Sequence, residues 1–319
     1  MNALKLPTSA RAAALGGNFI SVKDGDLSLA LMNPSLLDST MHNAATLAYV
    51  NYFAGINLGH AGYAYHFDSL RTTVSASMLY MNYGKFAETN AIGEEIGSFS
   101  AGDYAFILGA SHRMDSNWTL GANAKFIYSQ LASFNATGAA IDLAATYTRE
   151  QKGFSAALLV RNLGVQLGTY RESERERLPF EVQLGVSKKL KHAPLRFTLI
   201  GENLQTWDLT YEDPLTQAQN SLLGEEADND QNGLLDFGDN LMRHINVGTE
   251  LLITKNVHIR LGYNYRRRQE LKITDKPGMA GFSWGLGFAI KKFEFSYGRA
   301  IYHLAGPSHH FSVATRFGR

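Results

Sequence analysis

The sharpest chemical motif in this chain is Asp228-Asn-Asp-Gln-Asn-Gly-Leu-Leu-Asp-Phe-Gly-Asp239. Its spacing matches the twelve-residue calcium loop. Asp228, Asp230 and Asn232 stand at positions one, three and five, where side-chain oxygens meet the ion. Gly233 stands at six, where the loop turns sharply. Leu234 would give its backbone carbonyl at seven, and Leu235 is the apolar residue at eight. Asp236 would act at nine, and Asp239 replaces the usual bidentate Glu at twelve. Calcium (Ca2+) is therefore the expected cofactor, in a structural role. The bland alternative is a solvated acidic loop, but mere acidity predicts neither the glycine nor the apolar position.

Other clusters carry weaker signals. Arg171-Glu-Ser-Glu-Arg-Glu-Arg177 neutralises itself and suits a solvated surface. Arg266, Arg267 and Arg268 could grip lipid phosphate, because a guanidinium binds phosphate bidentately; plain solvation competes with that reading. His303, His309 and His310 could hold zinc but lack a spacing that favours it. Arg161, Lys125, Arg260, Arg316, Glu250, Glu294, His244 and His258 are mixed charges on one strand face, with no catalytic triad among them. Such charges usually pair with one another or hold a plug. The chain has no cysteine, which excludes disulfides, thiolate metal sites and a cysteine nucleophile. A net charge of +1 gives no field to recruit nucleic acid, and none is expected as a partner.

These residues must be positioned by strands. No stretch has the roughly 18 apolar residues of a membrane-spanning helix. Instead, apolar and polar residues alternate with period two. Val257, Ile259, Leu261, Tyr263 and Tyr265 alternate with His258, Arg260, Gly262, Asn264 and Arg266. Trp118, Leu120, Ala122, Ala124, Phe126 and Tyr128 alternate with Thr119, Gly121, Asn123 and Lys125. One face suits lipid and the other a wet lumen. A soluble sandwich also alternates, but seldom places so many large polar groups inside.

The same reading predicts about fourteen strands, over 44–53, 55–67, 70–84, 98–113, 117–130, 134–149, 153–165, 179–190, 194–208, 243–254, 256–270, 279–291, 292–304 and 308–318. Their connections alternate between short and long. Short turns fall near 68–69, 115–116, 150–153, 191–194, 254–256 and 291–292. Long connections fall at 85–97, 166–178, 209–242 and 269–279, with shorter ones in the same phase at 131–133 and 305–308. Phe53–Ile56 is the one tight connection on the long side. That phase predicts an all-β, transmembrane antiparallel barrel in a bacterial outer membrane, with short turns toward the periplasm. Residues 44–319 would form the barrel and 209–242 its long outer loop. Residues 1–43 do not alternate and would enter the lumen as a plug, in which Arg11 would pair with a lumenal acid. No basic stretch followed by an apolar run opens the chain, so it reads as a mature chain whose export signal has been removed.

Ser9-Ala-Arg-Ala-Ala-Ala-Leu-Gly-Gly17 and Ala30-Leu-Met-Asn-Pro-Ser-Leu-Leu37, with Arg11, Asn33 and Pro34 as the motif positions, resemble the N-terminal signature of FadL-like outer-membrane proteins. Within that group the chain is most similar to the PorV–PorQ family of the type IX secretion system. The resemblance implies a fourteen-stranded barrel with an N-terminal hatch. It also implies work as a non-enzymatic anchor in a cell-surface attachment complex, beside a PorU-like sortase, a PorV-like barrel and a PorZ-like surface protein. That complex joins secreted cargo to lipopolysaccharide. Rival readings are a FadL-like transporter of fatty acids or other hydrophobic molecules, and a PorV-like cargo shuttle. The readable inward positions are polar, small or charged, which weighs against an apolar ligand.

Overall fold

Fourteen antiparallel strands close into a barrel in the computed structural model, which describes all residues except 171–174, 211–232, 272–277, 304–305 and 319. The strands are β1 (Ala44–Asn51), β2 (Asn57–Phe67), β3 (Thr72–Thr89), β4 (Glu95–Arg113), β5 (Trp118–Leu131), β6 (Phe134–Arg149) and β7 (Phe154–Gly168). They continue as β8 (Glu181–Lys189), β9 (Leu195–Gly201), β10 (Ile245–Leu252), β11 (Val257–Asn264), β12 (Phe282–Ile290), β13 (Phe293–His303) and β14 (Gly306–Arg316). Each strand pairs with its sequence neighbours. β1 closes the ring on β14, from Ala44 opposite Arg316 to Asn51 opposite His309. Closure leaves no unpaired edge, which is how a sheet can span lipid.

The period-two pattern sorts the side chains as expected. On β5, Trp118, Leu120 and Phe126 face out, while Thr119, Asn123 and Ile127 face in. Leu47, Leu108, Leu143, Leu199 and Leu261 belong to a belt of exposed apolar side chains. Such a belt on a water-exposed surface would promote aggregation; against lipid it is the matched surface. No helix among the described residues is long and apolar enough to cross a membrane.

Three expected boundaries are corrected. Residues 85–97 are mostly strand: β3 runs to Thr89 and β4 starts at Glu95, leaving a turn at 90–94. Both faces of that hairpin tip are largely exposed, so no in–out pattern marked it, and Phe86 stacked on Phe99 across the strands at 5.4 Å helps hold it. The strand expected over 194–208 ends at Gly201. The strand expected over 256–270 gives way after Asn264 to a helix, Tyr265–Leu271. Asn264 Oδ1 accepts the Arg267 backbone N–H at 2.9 Å, and Arg266 pairs with Glu270 one turn on, which are helix-start and i,i+4 contacts.

The N-terminal segment fills the lumen with short helices. Helix α1 spans Ala10–Ala14 and α2 Leu27–Ala30. On the outer rim, α3 spans Gly233–Arg243 and α4 is Tyr265–Leu271. Leu15, Phe19, Leu27, Leu29, Leu36, Leu37 and Met41 form the hatch's own core.

Candidate functional site

The hatch meets the wall through two sequence motifs. In the first, Ser9 caps α1, and the alanines after it let the helix lie flat against inward glycines of β11–β13. A Cβ on Gly298 would stand 2.2 Å from the Ala10 carbonyl oxygen. One on Gly262 would stand 2.3 Å from the Gly16 nitrogen. Neither could exist without moving the helix, so small residues are needed on both sides of the contact. Ser283 Oγ on β12 donates to the Ala14 carbonyl at 3.0 Å, and Arg267 on α4 donates to Gly16 O at 3.1 Å.

In the second motif, the Asn33 side chain does several jobs. Its Oδ1 accepts from the Ser35 N–H at 3.0 Å and the Ser35 hydroxyl at 2.7 Å, while Nδ2 donates to Ile20 O at 2.7 Å. Pro34 opens the following turn, whose missing N–H needs no partner there. The turn presses on Gly121 of β5, where a Cβ would come within 2.4 Å of the Pro34 carbonyl carbon. Ser35 Oγ lies 2.7 Å from Thr146 Oγ1 on β6, and Ser111 on β4 donates to Leu37 O at 2.7 Å. Ser155 on β7 bonds Ser21 O, and Ser187 on β8 bonds the Ser21 hydroxyl. The hatch is thus stitched to the wall around most of the barrel.

Arg11 is the centre of that stitching. Its guanidinium gives Nε to Glu250 Oε1 at 2.8 Å and NH2 to Glu250 Oε2 at 2.9 Å. It also reaches Asp24 Oδ1 at 3.0 Å and Oδ2 at 2.8 Å, and Asp26 Oδ2 at 3.2 Å. Five donor contacts match the five N–H bonds of an arginine. Glu250 is further held by Arg196 at 2.8 Å and Arg260 at 3.1 Å, and Arg196 also reaches Asp24 at 2.8 Å. Three arginines therefore face Asp24, Asp26 and Glu250, a neutral cluster of buried and half-buried charges. It roofs a vestibule of about 730 Å³ that opens among the short turns 189–194 and 254–256.

The other lumenal charges also find partners. Lys125 pairs with Asp142 at 2.7 Å and Arg161 with Glu181 at 2.9 Å. Arg316 and Glu294 are looser, at 3.8 Å, and His258 is half-buried at the same vestibule. His244 lies at the outer rim, where Nδ1 meets Glu202 O at 2.7 Å and Nε2 meets Trp207 O at 3.0 Å. His309 and His310 do not form a zinc pair: they are adjacent strand residues, so they point to opposite faces, and the His303 side chain lies outside the described ones. His309 bonds the Tyr297 hydroxyl and His310 the Ser308 hydroxyl. No group of three metal-binding side chains occurs among the described residues.

Asp228, Asp230 and Asn232 lie outside the described residues. Leu234, Asp236 and Asp239 fall in α3, whose helical backbone starts at Gly233. Asp239 has both oxygens engaged, with the Tyr265 hydroxyl at 2.6 Å and Arg243 Nε at 2.6 Å. The Tyr265 phenol is pushed up by that carboxylate bond and by burial. This half of the motif thus spends its terminal carboxylate on protein partners, and calcium would have to displace them.

The arginines at 266–268 are likewise engaged. Arg266 pairs with Glu270 at 2.6 Å, Arg267 turns inward to the hatch, and Arg268 donates to Gly278 O at 2.7 Å. Arg171 lies outside the described residues, whereas Arg177 is exposed.

One expectation about the lumen is corrected. Toward the outer side, Val50, Leu58, Leu79, Met81, Ala105 and Ile127 face inward. They form an apolar core with Ala3 and Leu4 of the hatch and with Leu178. The polar lumen read from β5 and β11 does not extend to the upper halves of β1–β4. Among the buried polar groups there, Asp103 bonds the Ser129 hydroxyl and accepts from Tyr83 at 2.8 Å.

No family model matches this sequence, and no curated protein matches it. Solved structures do match in fold. The toluene transporter TbuX of Ralstonia pickettii superposes with a TM-score of 0.58 at 11% identity, over 97% of this chain and 98% of its own. The monoaromatic hydrocarbon channel CymD gives 0.57 at 9% identity, over 100% and 99%. A FadL homologue from Pseudomonas aeruginosa gives 0.53 at 11% identity, over 98% of each chain. The fold is thus a FadL-like, closed fourteen-stranded barrel of the outer-membrane kind.

Proposed function

We propose that this chain is a non-enzymatic anchor of the bacterial outer membrane, of the PorQ type. In that role it presents a PorZ-like surface protein within the type IX attachment complex, next to a PorU-like sortase and a PorV-like barrel. The observation that carries the reading is the pinned hatch. Of the residues that resemble the family signature, Arg11 and Pro34 meet the wall, while Asn33 shapes the turn that Pro34 presses on it. A lumen closed by a buried ion cluster leaves the outer connections as the working surface, chiefly 209–242. A calcium ion bound over 228–239 would stiffen that connection and lower the entropy of ordering it on docking. Replacing 212–231 with a short Gly-Ser linker keeps the barrel and α3. The expected result is a barrel that still inserts but no longer co-purifies its surface partner in mild detergent; undiminished co-purification would refute the docking role.

A second reading is passage of fatty acids or other hydrophobic molecules. The structural neighbours support it more directly than they support the first, since three are named as hydrocarbon transporters or channels or as a FadL homologue. The apolar inner wall around Leu58, Leu79 and Ile127 adds to it, because there Ala3 and Leu4 occupy a place that a hydrocarbon would suit. Saturable binding of a labelled fatty acid or toluene by the purified barrel, lost on Leu79→Asp, would favour this reading over the anchor.

A further inference from the structure

The rim between β9 and β10 carries an apolar surface that the anchor reading does not use. On α3, Asp239 and Arg243 point toward α4, through the Asp239–Tyr265 and Asp239–Arg243 bonds. Helix α4 in turn leans over the lumen, because Arg267 reaches Gly16 of the hatch. Phe237 and Leu241 stand two residues before and after Asp239, about 200° around the helix, and so face away from the barrel axis. They are 52% and 41% exposed. Trp207, also 52% exposed, packs on Phe237 with ring centroids 5.2 Å apart. Leu204 lies against the outward side of Gly201, where a Cβ would be 3.3 Å from its Cδ2. Gly201 follows Phe197 and Leu199 on the lipid face of β9. The surface is therefore continuous with the lipid-facing belt and extends it upward onto the rim.

We propose that Leu204, Trp207 and the Phe237–Leu241 face of α3 form an interfacial anchor seated in the headgroup boundary of the outer leaflet. Continuity with the belt selects lipid over a protein partner as the occupant. A tryptophan with its apolar body in the acyl boundary and its ring N–H toward the headgroups suits that depth. A helix with its charges on the opposite face is built to lie in the interface plane. The role is to fix the root of the long outer connection at a set height above the membrane. The inference rests on the barrel being membrane-embedded and is independent of which partner, if any, docks.

The chain has three tryptophans, so Trp118→Phe with Trp284→Phe leaves Trp207 as the sole tryptophan, excited selectively at the red edge of its absorption where tyrosine does not absorb. The full-length double variant is folded into phosphatidylcholine vesicles brominated either near the headgroup or deep in the acyl chain. Trp207 is expected to lose most of its emission to the shallow bromines, little to the deep ones and little to aqueous acrylamide. Free access to acrylamide with no bromine quenching would overturn the proposal, whether the face is then bare or meant for a protein. Should that variant fail to fold, Leu241→Cys introduces the chain's single cysteine. A spin label there is expected to be more accessible to oxygen than to an aqueous nickel chelate; the reverse order would overturn the proposal. Undiminished co-purification of the partner by the 212–231 replacement, with this lipid contact intact, would count against the docking reading alone.

Discussion

Replacing Arg11 with methionine should loosen the hatch without dissolving the barrel. Methionine keeps most of the stem's volume but removes all five guanidinium contacts to Asp24, Asp26 and Glu250. Breaking one side of a buried charge pair costs about 3–5 kcal/mol. Here Arg196 and Arg260 remain on Glu250 and Arg196 remains on Asp24; only the partly exposed Asp26 loses its cation, and it keeps its bonds to Ser28. The low end, about 3 kcal/mol, is the appropriate figure. At about 1.4 kcal/mol per decade this is roughly a hundredfold rise in the open fraction of the hatch. Hydrogen exchange read by mass spectrometry should show it as faster exchange of the α1 and 18–37 amides, with the amides of β1–β14 unchanged. A cycle with Glu250→Gln should show strong coupling, because the two side chains share a bidentate contact. Unchanged hatch protection in Arg11→Met, or additive effects in the cycle, would refute the view that this cluster holds the hatch.

Further outcomes follow from the same geometry. Gly298→Val should displace α1, because the new Cβ meets the Ala10 carbonyl oxygen. Proteolysis should then clip the hatch while the barrel keeps its heat-modifiable migration. Leu108→Arg puts a charge on the lipid face and should cost about 2–4 kcal/mol if that position lies at the bilayer midplane, measured by folding into vesicles. Isothermal titration should detect calcium binding that Asp228→Ala with Asp230→Ala abolishes; a double variant that titrates like wild type would remove calcium from the account. Tyr265→Phe should tighten that binding, because it frees one oxygen of Asp239.

Much of this architecture was legible because a lipid-facing strand must alternate, and alternation survives in a single sequence. The phase of short and long connections then told the two ends of the barrel apart. What failed to read has specific causes. The β3–β4 tip is exposed on both faces, so no pattern distinguished strand from loop at 85–97. The Tyr265–Leu271 stretch continued the period-two pattern of β11 for two residues, and its helix is set by the Asn264 cap and the Arg266–Glu270 pair. Arg11 could be expected to meet an acid, but Glu250 is 239 residues away, and only barrel closure brings them together. The apolar upper lumen was hidden because its inward residues come one or two at a time from β1–β6 and form a patch only across strands. The glycines on β11–β13 read as a featureless polar face, although they are the seat of α1.

The central claim is that the hatch-closed barrel works through its outer surface by holding another protein. Tagged wild-type chain and the 212–231 replacement, each purified from cells in mild detergent and compared by quantitative mass spectrometry, test it most directly. The account predicts a stoichiometric surface protein on wild type that the replacement loses while remaining folded in the membrane. Recovery of the wild-type barrel alone, together with saturable uptake of a labelled hydrocarbon, would contradict it.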